Sequence, residues 1–180
     1  MNNPMTPFQE ELLHTIRTIP DFPEPGVQFK DITPVLSNPD LMRRTLNVLV
    51  APYAEERITK VLGIESRGFI FGGMLAERLG AGFVLVRKVG KLPAETIRED
   101  YSLEYGTGAI EMHRDALRPE DHVLIHDDVL ATGGTALAAA RLVRQAGAHI
   151  VGFSFLIELD ALEGRKKIES FGPVHALIHY

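Results

Sequence analysis

From Ile58 onward the chain alternates short apolar runs with segments of helical spacing, and this rhythm constrains the fold more than any other feature. Ile58–Ile64, Phe83–Arg87, Val123–His126, Ile150–Leu159 and Pro173–His179 read as strands. Gly68–Leu79, closed by Gly80, and Thr135–Ala146, ended by Gly147, read as helices. Strands that are apolar throughout, rather than alternating with polar residues, are buried on both faces. Strand–helix alternation of this kind predicts an α/β fold, a parallel sheet flanked by helices. At 180 residues the chain is expected to form a single domain, residues 1–180.

The first third is organised differently. Thr6 is placed to cap a helix, with Pro7 in the first turn and Gln9 three residues on, as in a capping box. Phe8, Leu12 and Ile16 then recur along one helix face. The stretch PDFPEPGVQFKDITP is dense in Pro and Gly and reads as an ordered loop. A second helix is expected from Asn38-Pro39-Asp40 toward Tyr53. A polar, charged segment, Lys88–Asp100, interrupts the later alternation. Tyr101–Tyr105 and Ala109–His113 follow it around Gly106-Thr107-Gly108, which reads as a hairpin turn. An excursion of this length between core strands predicts a lid, Leu92–Thr107.

Composition removes several function classes. The chain has no cysteine, which excludes disulfides, thiolate metal sites and cysteine nucleophiles and permits a reducing, cytoplasmic setting. Lys plus Arg is 19 against 24 for Asp plus Glu, a net charge of −5, which argues against nucleic acid as a partner. The opening residues MNNPMTPFQEELL have no basic segment followed by an apolar run, and no apolar stretch reaches the ~18 residues of a membrane span. A soluble protein with no membrane partner is expected. The histidines His14, His113, His149 and His179 have no metal-ligand spacing, so no structural metal is assigned.

The chemistry concentrates in VLIHDDVLATGGT, Val123–Thr135. A strand runs into two adjacent carboxylates, Asp127 and Asp128, then into Ala131-Thr132-Gly133-Gly134-Thr135 and a helix. Open α/β sheets bind ligands at the carboxyl ends of their strands. Glycines let the backbone approach a ligand, and unpaired N–H groups at a helix start attract an anion. Thr132 and Thr135 add hydroxyl donors. The loop therefore reads as a phosphate site. Carboxylates repel phosphate, so the acid pair must face ribose hydroxyls or Mg²⁺. A phosphate cradle beside hydroxyl-reading carboxylates points to a phosphorylated sugar. The segment lacks the Lys-Ser/Thr ending of a nucleoside-triphosphate loop and the GxGxxG dinucleotide pattern.

This segment resembles the 5-phosphoribosyl 1-pyrophosphate (PRPP) motif of type I phosphoribosyltransferases. GIESRGFIFG (Gly63–Gly72), VRKVGKLP (Val86–Pro93), YSLEYG (Tyr101–Gly106) and DFPEPGVQFKDITP (Asp21–Pro34) are similar, in order, to the adenine-specific branch. The resemblance spans nearly the whole chain. It implies the type I fold with a hairpin lid and an N-terminal base-binding segment, and an enzyme of purine salvage. That enzyme would convert adenine and PRPP to AMP and pyrophosphate with Mg²⁺, as a cytoplasmic homodimer.

The resemblance also assigns roles. Asp127, Asp128, Ala131, Thr132, Gly133, Gly134 and Thr135 would hold the ribose and 5′-phosphate, with Mg²⁺ carried by the substrate and touched by Asp127 or Asp128. Ser66, Arg67, Arg87, Lys88 and Lys91 would hold pyrophosphate; read alone, the last three could be an ordinary solvated cluster. A cis non-proline peptide is implied near Glu65–Arg67. Glu104 would be the catalytic acid/base, with Tyr105 beside it in the lid. Phe29 and Val129 would flank adenine, with the Gln28 backbone reading its amino edge. Lys30 stands where an Arg is common, and His126 where an apolar residue is usual; a buried, hydrogen-bonded His is the simpler reading of the latter.

The Asp-Asp loop does not separate adenine from guanine, hypoxanthine, xanthine or orotate. The Phe29 region and YSLEYG favour adenine. A PRPP-sensing regulator would need an appended DNA-binding module and a basic face.

Overall fold

The computed structural model describes residues 4–102 and 107–180, which divide into two compact units, Met1–Val48 and Leu49–Tyr180. In the first, α1 (Pro7–Thr15) starts at the predicted capping box. The Thr6 hydroxyl accepts from Gln9 N at 3.3 Å, and the Gln9 side chain accepts from Thr6 N at 2.9 Å. Leu12 is fully buried. The stretch read as a loop contains two strands, β1 (Arg17–Pro20) and β2 (Gln28–Asp31), paired antiparallel. Both are only four residues long, too short for an apolar period to mark them, and β1 is mostly exposed. A short α2 (Thr33–Leu36) precedes α3 (Pro39–Val50). Asn38 Oδ1 caps α3 by accepting from Asp40 N and Leu41 N at 3.0 and 3.1 Å. Pro52 lacks the N–H that would continue the helix, and a 3₁₀ turn covers Ala51–Tyr53.

The second unit is built on β3 (Lys60–Ile64), β4 (Gly82–Lys88), β5 (Thr96–Ser102), β6 (Thr107–His113), β7 (His122–Leu130), β8 (His149–Glu158) and β9 (Val174–His179). Its sheet has the order β5-β6-β4-β3-β7-β8-β9. The five strands β4, β3, β7, β8 and β9 are parallel, as predicted. The whole sheet is mixed: the hairpin strands join its edge, β6 running antiparallel to β4 and β5 to β6. Thr96–Ser102, within the segment predicted as a lid, is thus an edge strand. Ile97, Glu99 and Tyr101 are half-buried while Arg98 and Asp100 are exposed, a period of two. Glu99 masked that period, because it faces inward to an ion pair with Arg141 at 3.1 Å.

Helices α4 (Gly68–Arg78), α5 (Gly134–Gln145) and the short α6 (Arg165–Ile168) cover the sheet. The buried alanines of α5 share one hydrophobic core with Leu62, Ile64, Val84, Val86, Val123 and Ile125 of the sheet. On α4, Gly72 faces the Phe83 ring and Gly63 of β3. Chain order reverses between β3 and β7: β3 leads outward to β4, whereas β7 leads the other way through β8 to β9. The crevice at such a reversal, at the carboxyl ends of the strands, is where α/β sheets bind ligands.

Candidate active site

Two loops emerge at that crevice, one after β3 and one after β7. The first holds Glu65, Ser66 and Arg67 and carries a cis Glu65–Ser66 peptide, where the resemblance placed one. Gly68 opens α4 directly against β7. A Cβ at Gly68 would sit 2.9 Å from Asp127 Oδ1 and 3.0 Å from the His126 carbonyl oxygen. Only glycine permits this approach, and it brings Arg67 to the acid pair. Arg67 Nε lies 2.5 Å from Asp128 Oδ2.

The acid pair is enclosed. Asp128 is 3% exposed, and Asp127 is half-buried with Oδ1 accepting the Asp128 N–H at 2.8 Å. Burial, followed by the adjacent Asp128 charge, pushes the Asp127 carboxyl well above the usual range. Burial also raises Asp128, with Arg67 pulling the other way. Burial and mutual repulsion thus both disfavour full ionisation of the pair, and hydrogen-bond donors offset that cost.

Beyond the acids, Gly133 adopts φ +76° and caps α5. Residues Leu130–Ala136, with Asp127, Val129 and Phe155, line a cavity of about 70 Å³. Thr132 and Thr135 are half-buried on its wall. The whole predicted phosphate loop, and Val129, converge on this cavity. A larger one, about 330 Å³, adjoins it at Gly134 and is bounded by Asp100, Tyr101, Leu137, Ala138, Arg141 and Lys167.

The cations at the end of β4 and just beyond it are organised by carboxylates. Arg87 Nη2 donates to Glu65 Oε1 at 2.9 Å, and Arg87 Nη1 to the Lys91 carbonyl at 3.0 Å. Lys88 N donates to Glu65 Oε2 at 2.9 Å. The Arg87 guanidinium holds the Glu65 carboxyl below its ordinary value. The Lys88 and Lys91 side chains and Ser66 are exposed. In the first unit, Gln28 is exposed, Phe29 meets Phe22 edge to face at 5.1 Å, and Lys30 Nζ donates to Thr18 Oγ1 at 3.0 Å. Glu104 and Tyr105 lie outside the described residues.

Residues 41–172 match the phosphoribosyl transferase domain family. An adenine phosphoribosyltransferase of Rhizobium meliloti is 54% identical over 177 residues, 98% of each chain. The chain belongs to the adenine phosphoribosyltransferase family. A second relative with that name, from Brucella ovis, is 54% identical over 174 residues, 96% of each chain. The crystal structure of adenine phosphoribosyltransferase from Rhodothermus marinus is 61% identical, with a TM-score of 0.93 over 96% of this chain and 98% of that one. The Saccharomyces cerevisiae enzyme, crystallised with an imino-altritol bisphosphate and adenine, is 40% identical with a TM-score of 0.89, covering 95% and 98%.

Within this family frame, several residues at the site escaped the sequence reading. Glu65 and Glu111 fold the loop after β4. Glu111 carried a faint signal, a carboxylate between the buried Ile110 and Met112. Gly164 carried none: a Cβ there would meet the Ala131 carbonyl oxygen at 2.1 Å, so α6 starts hard against the phosphate loop. His126 is buried as expected, opposite Ser154 in the sheet. The expected hydrogen bond is not of normal geometry at either ring nitrogen, although the Ser154 backbone slightly favours the charged ring. His179 was set aside on spacing, yet folding places it beside Glu158 and Asp160. There Arg165 takes both Glu158 oxygens.

Proposed function

We propose that this chain transfers the phosphoribosyl group of PRPP to adenine, giving AMP and pyrophosphate in purine salvage. One observation carries the reading: the Gly133-capped cradle and the Arg67–Asp128 pair meet at the reversal point of a sheet shared, at full length, with adenine phosphoribosyltransferases.

In the proposed reaction N9 of adenine bonds to the anomeric carbon as the bond to pyrophosphate breaks, and the electron pair leaves with pyrophosphate. The N9 proton passes to a base, for which we assign Glu104. Positive charge develops on the ribose, as in glycoside hydrolysis. Ala131–Thr135 anchors the 5′-phosphate, so that binding energy remote from the reacting carbon orients it. Asp127 and Asp128 accept from the ribose hydroxyls. Those hydroxyls are donors like Arg67, and their arrival frees the guanidinium for the leaving group. Ser66, Arg87, Lys88 and Lys91 complete the pyrophosphate site. Gln28, Phe29 and Lys30 on β2, and Val129, are assigned to adenine. The hairpin, with Tyr105, is assigned to excluding water.

The donors at the acid pair are hard oxygens, which suit Mg²⁺. They number two carboxylates, one already paired with Arg67, so the fit is to an ion that arrives on substrate phosphates rather than to a protein cage. When bound, Mg²⁺ would neutralise charge on the leaving pyrophosphate. We further read the protein as a cytoplasmic homodimer, which sedimentation would test. Among the described residues no helix is long and apolar enough to cross a membrane.

The test is AMP formation from PRPP and Mg²⁺ with adenine, hypoxanthine or guanine in parallel. Turnover with adenine alone is expected. Turnover only with another base would overturn the adenine assignment and keep the PRPP site. PRPP binding without turnover would make the protein a sensor.

A further inference from the structure

At the end of β4 and in the loop that follows it, four backbone N–H groups, those of Lys88, Gly90, Lys91 and Leu92, are accounted for by two carboxylates. Glu65 takes Lys88 N. Glu111 Oε1 takes Gly90 N at 3.0 Å and Lys91 N and Leu92 N at 3.3 Å each, while Glu111 Oε2 accepts from Thr96 Oγ1 at 3.1 Å. Successive N–H groups aimed at one point make a nest for an anion. Here the chain supplies that anion itself, from a side chain only 5% exposed.

Glu111 sits on β6 opposite Arg87 in the sheet. The curl it imposes, through Gly90 at φ +82°, turns the Lys91 carbonyl back to accept from Arg87. It leaves the Lys88 and Lys91 side chains facing outward. The same carboxylate ties the loop to Thr96, the first residue of the hairpin. A nest already filled from inside is not a substrate site. Its effect is on where the neighbouring cations point.

We propose that Glu111 is a positioning residue that folds Gly90–Leu92 and thereby presents Arg87, Lys88 and Lys91 to the pyrophosphate moiety of PRPP. This rests on the assignment of those cations to pyrophosphate. Unfolding the curl costs binding of the pyrophosphate end, whereas the 5′-phosphate loop after β7 and the adenine segment keep their own supports.

The test compares Glu111→Ala and Glu111→Gln with the wild type in two assays. In steady-state kinetics Glu111→Ala raises KM for PRPP about tenfold or more, because three N–H groups of the loop lose their shared acceptor. KM for adenine stays within about twofold of wild type on the same argument. Glu111→Gln, whose amide oxygen still accepts and whose amide nitrogen can donate to Thr96, recovers most of the loss. In calorimetry without turnover, Glu111→Ala weakens pyrophosphate binding by a similar factor and leaves AMP binding unchanged. Unchanged pyrophosphate affinity, or equal losses for pyrophosphate and AMP, overturns the proposal. Should Glu111→Ala fail to fold, Thr96→Val is measured in its place. It removes one of the four hydrogen bonds and must weaken pyrophosphate selectively, or the proposal falls. Because calorimetry needs no reaction, a wild type that forms no AMP would refute the transferase reading while still testing Glu111.

Discussion

One functional group, the carboxylate, is driven in opposite directions at neighbouring points of this site. At Glu111 burial works to raise the carboxyl, but hydrogen bonds from Leu92, Thr96, Gly90 and Lys91 outweigh it and hold it below its ordinary value. At Asp127 burial and the next-door charge win, and the carboxyl is raised. A raised carboxyl stabilises the fold below its unfolded value and loses that contribution as pH climbs toward the folded one. Asp127→Asn is therefore expected to raise the melting temperature at neutral pH. It also removes a charged acceptor from the ribose, worth about 1.5–3 kcal/mol, or roughly a ten- to hundredfold fall in kcat/KM for PRPP. Thermal melts and kinetics on one preparation check both signs; a less stable, fully active variant would contradict them. His126 gives the opposite slope. Burial pushes its ring down to about 4. Between about 6.5 and 4 the unfolded chain takes up a proton that the folded chain refuses, so stability falls as pH drops, by about 3 kcal/mol in total. His126→Leu should remove that loss, and urea titrations of both proteins at pH 7 and pH 4.5 would show whether the gap closes.

At the scale of elements, the site depends on how closely helices approach strand ends. At Gly68 a Cβ would press on the His126 carbonyl oxygen and the Asp127 Cα, 3.0 and 3.1 Å away, and neither is a flexible side-chain end. Gly68→Ala must move the start of α4 off β7. A loss of about 1–3 kcal/mol is expected, as for other overpacked sites. Arg67 moves with it, so KM for PRPP should rise as well. Gly164→Ala is expected to act more severely on the phosphate loop, because its Cβ would fall 2.1 Å from the Ala131 carbonyl oxygen and 2.8 Å from Gly133 N. AMP affinity, which reports the 5′-phosphate, is the measurement to make on that variant. Loss of fold stability with AMP affinity intact would separate α6 from the site.

For the whole molecule, the acid pair and the cation loop are costs that substrate offsets. Two raised carboxyls sit at the crevice, and Lys88 and Lys91 are exposed after Arg87. A ligand that binds only the folded state adds RT ln(1 + [L]/Kd), about 2.7 kcal/mol at a hundred times Kd. For a chain of this size that is a rise of roughly 5–10 °C in Tm. PRPP with Mg²⁺ is expected to give such a rise in a thermal-shift titration. A flat titration would count against the site as assigned.

The parallel core and the phosphate loop were legible in the sequence because their signals are local. Apolar runs between glycines mark strands buried on both faces, and the order Asp127-Asp128 to Gly133-Gly134-Thr135 places a loop at a strand end whatever surrounds it. The same holds for the Thr6–Gln9 capping box, which is a four-residue event. The edge strand β5, the short pair β1 and β2, and the supports of the site were decided by tertiary contacts. Glu99 looks like a surface residue until Arg141, 42 residues away, meets it. Glu111 looks misplaced until the N–H groups of Gly90–Leu92 surround it, and Gly164 looks like any loop glycine until Ala131 lies against it. Sequence spacing specifies which groups share one turn or one strand. Which carboxylate fills which nest, and which glycine yields to which carbonyl, depends on segments that meet only after the chain has folded.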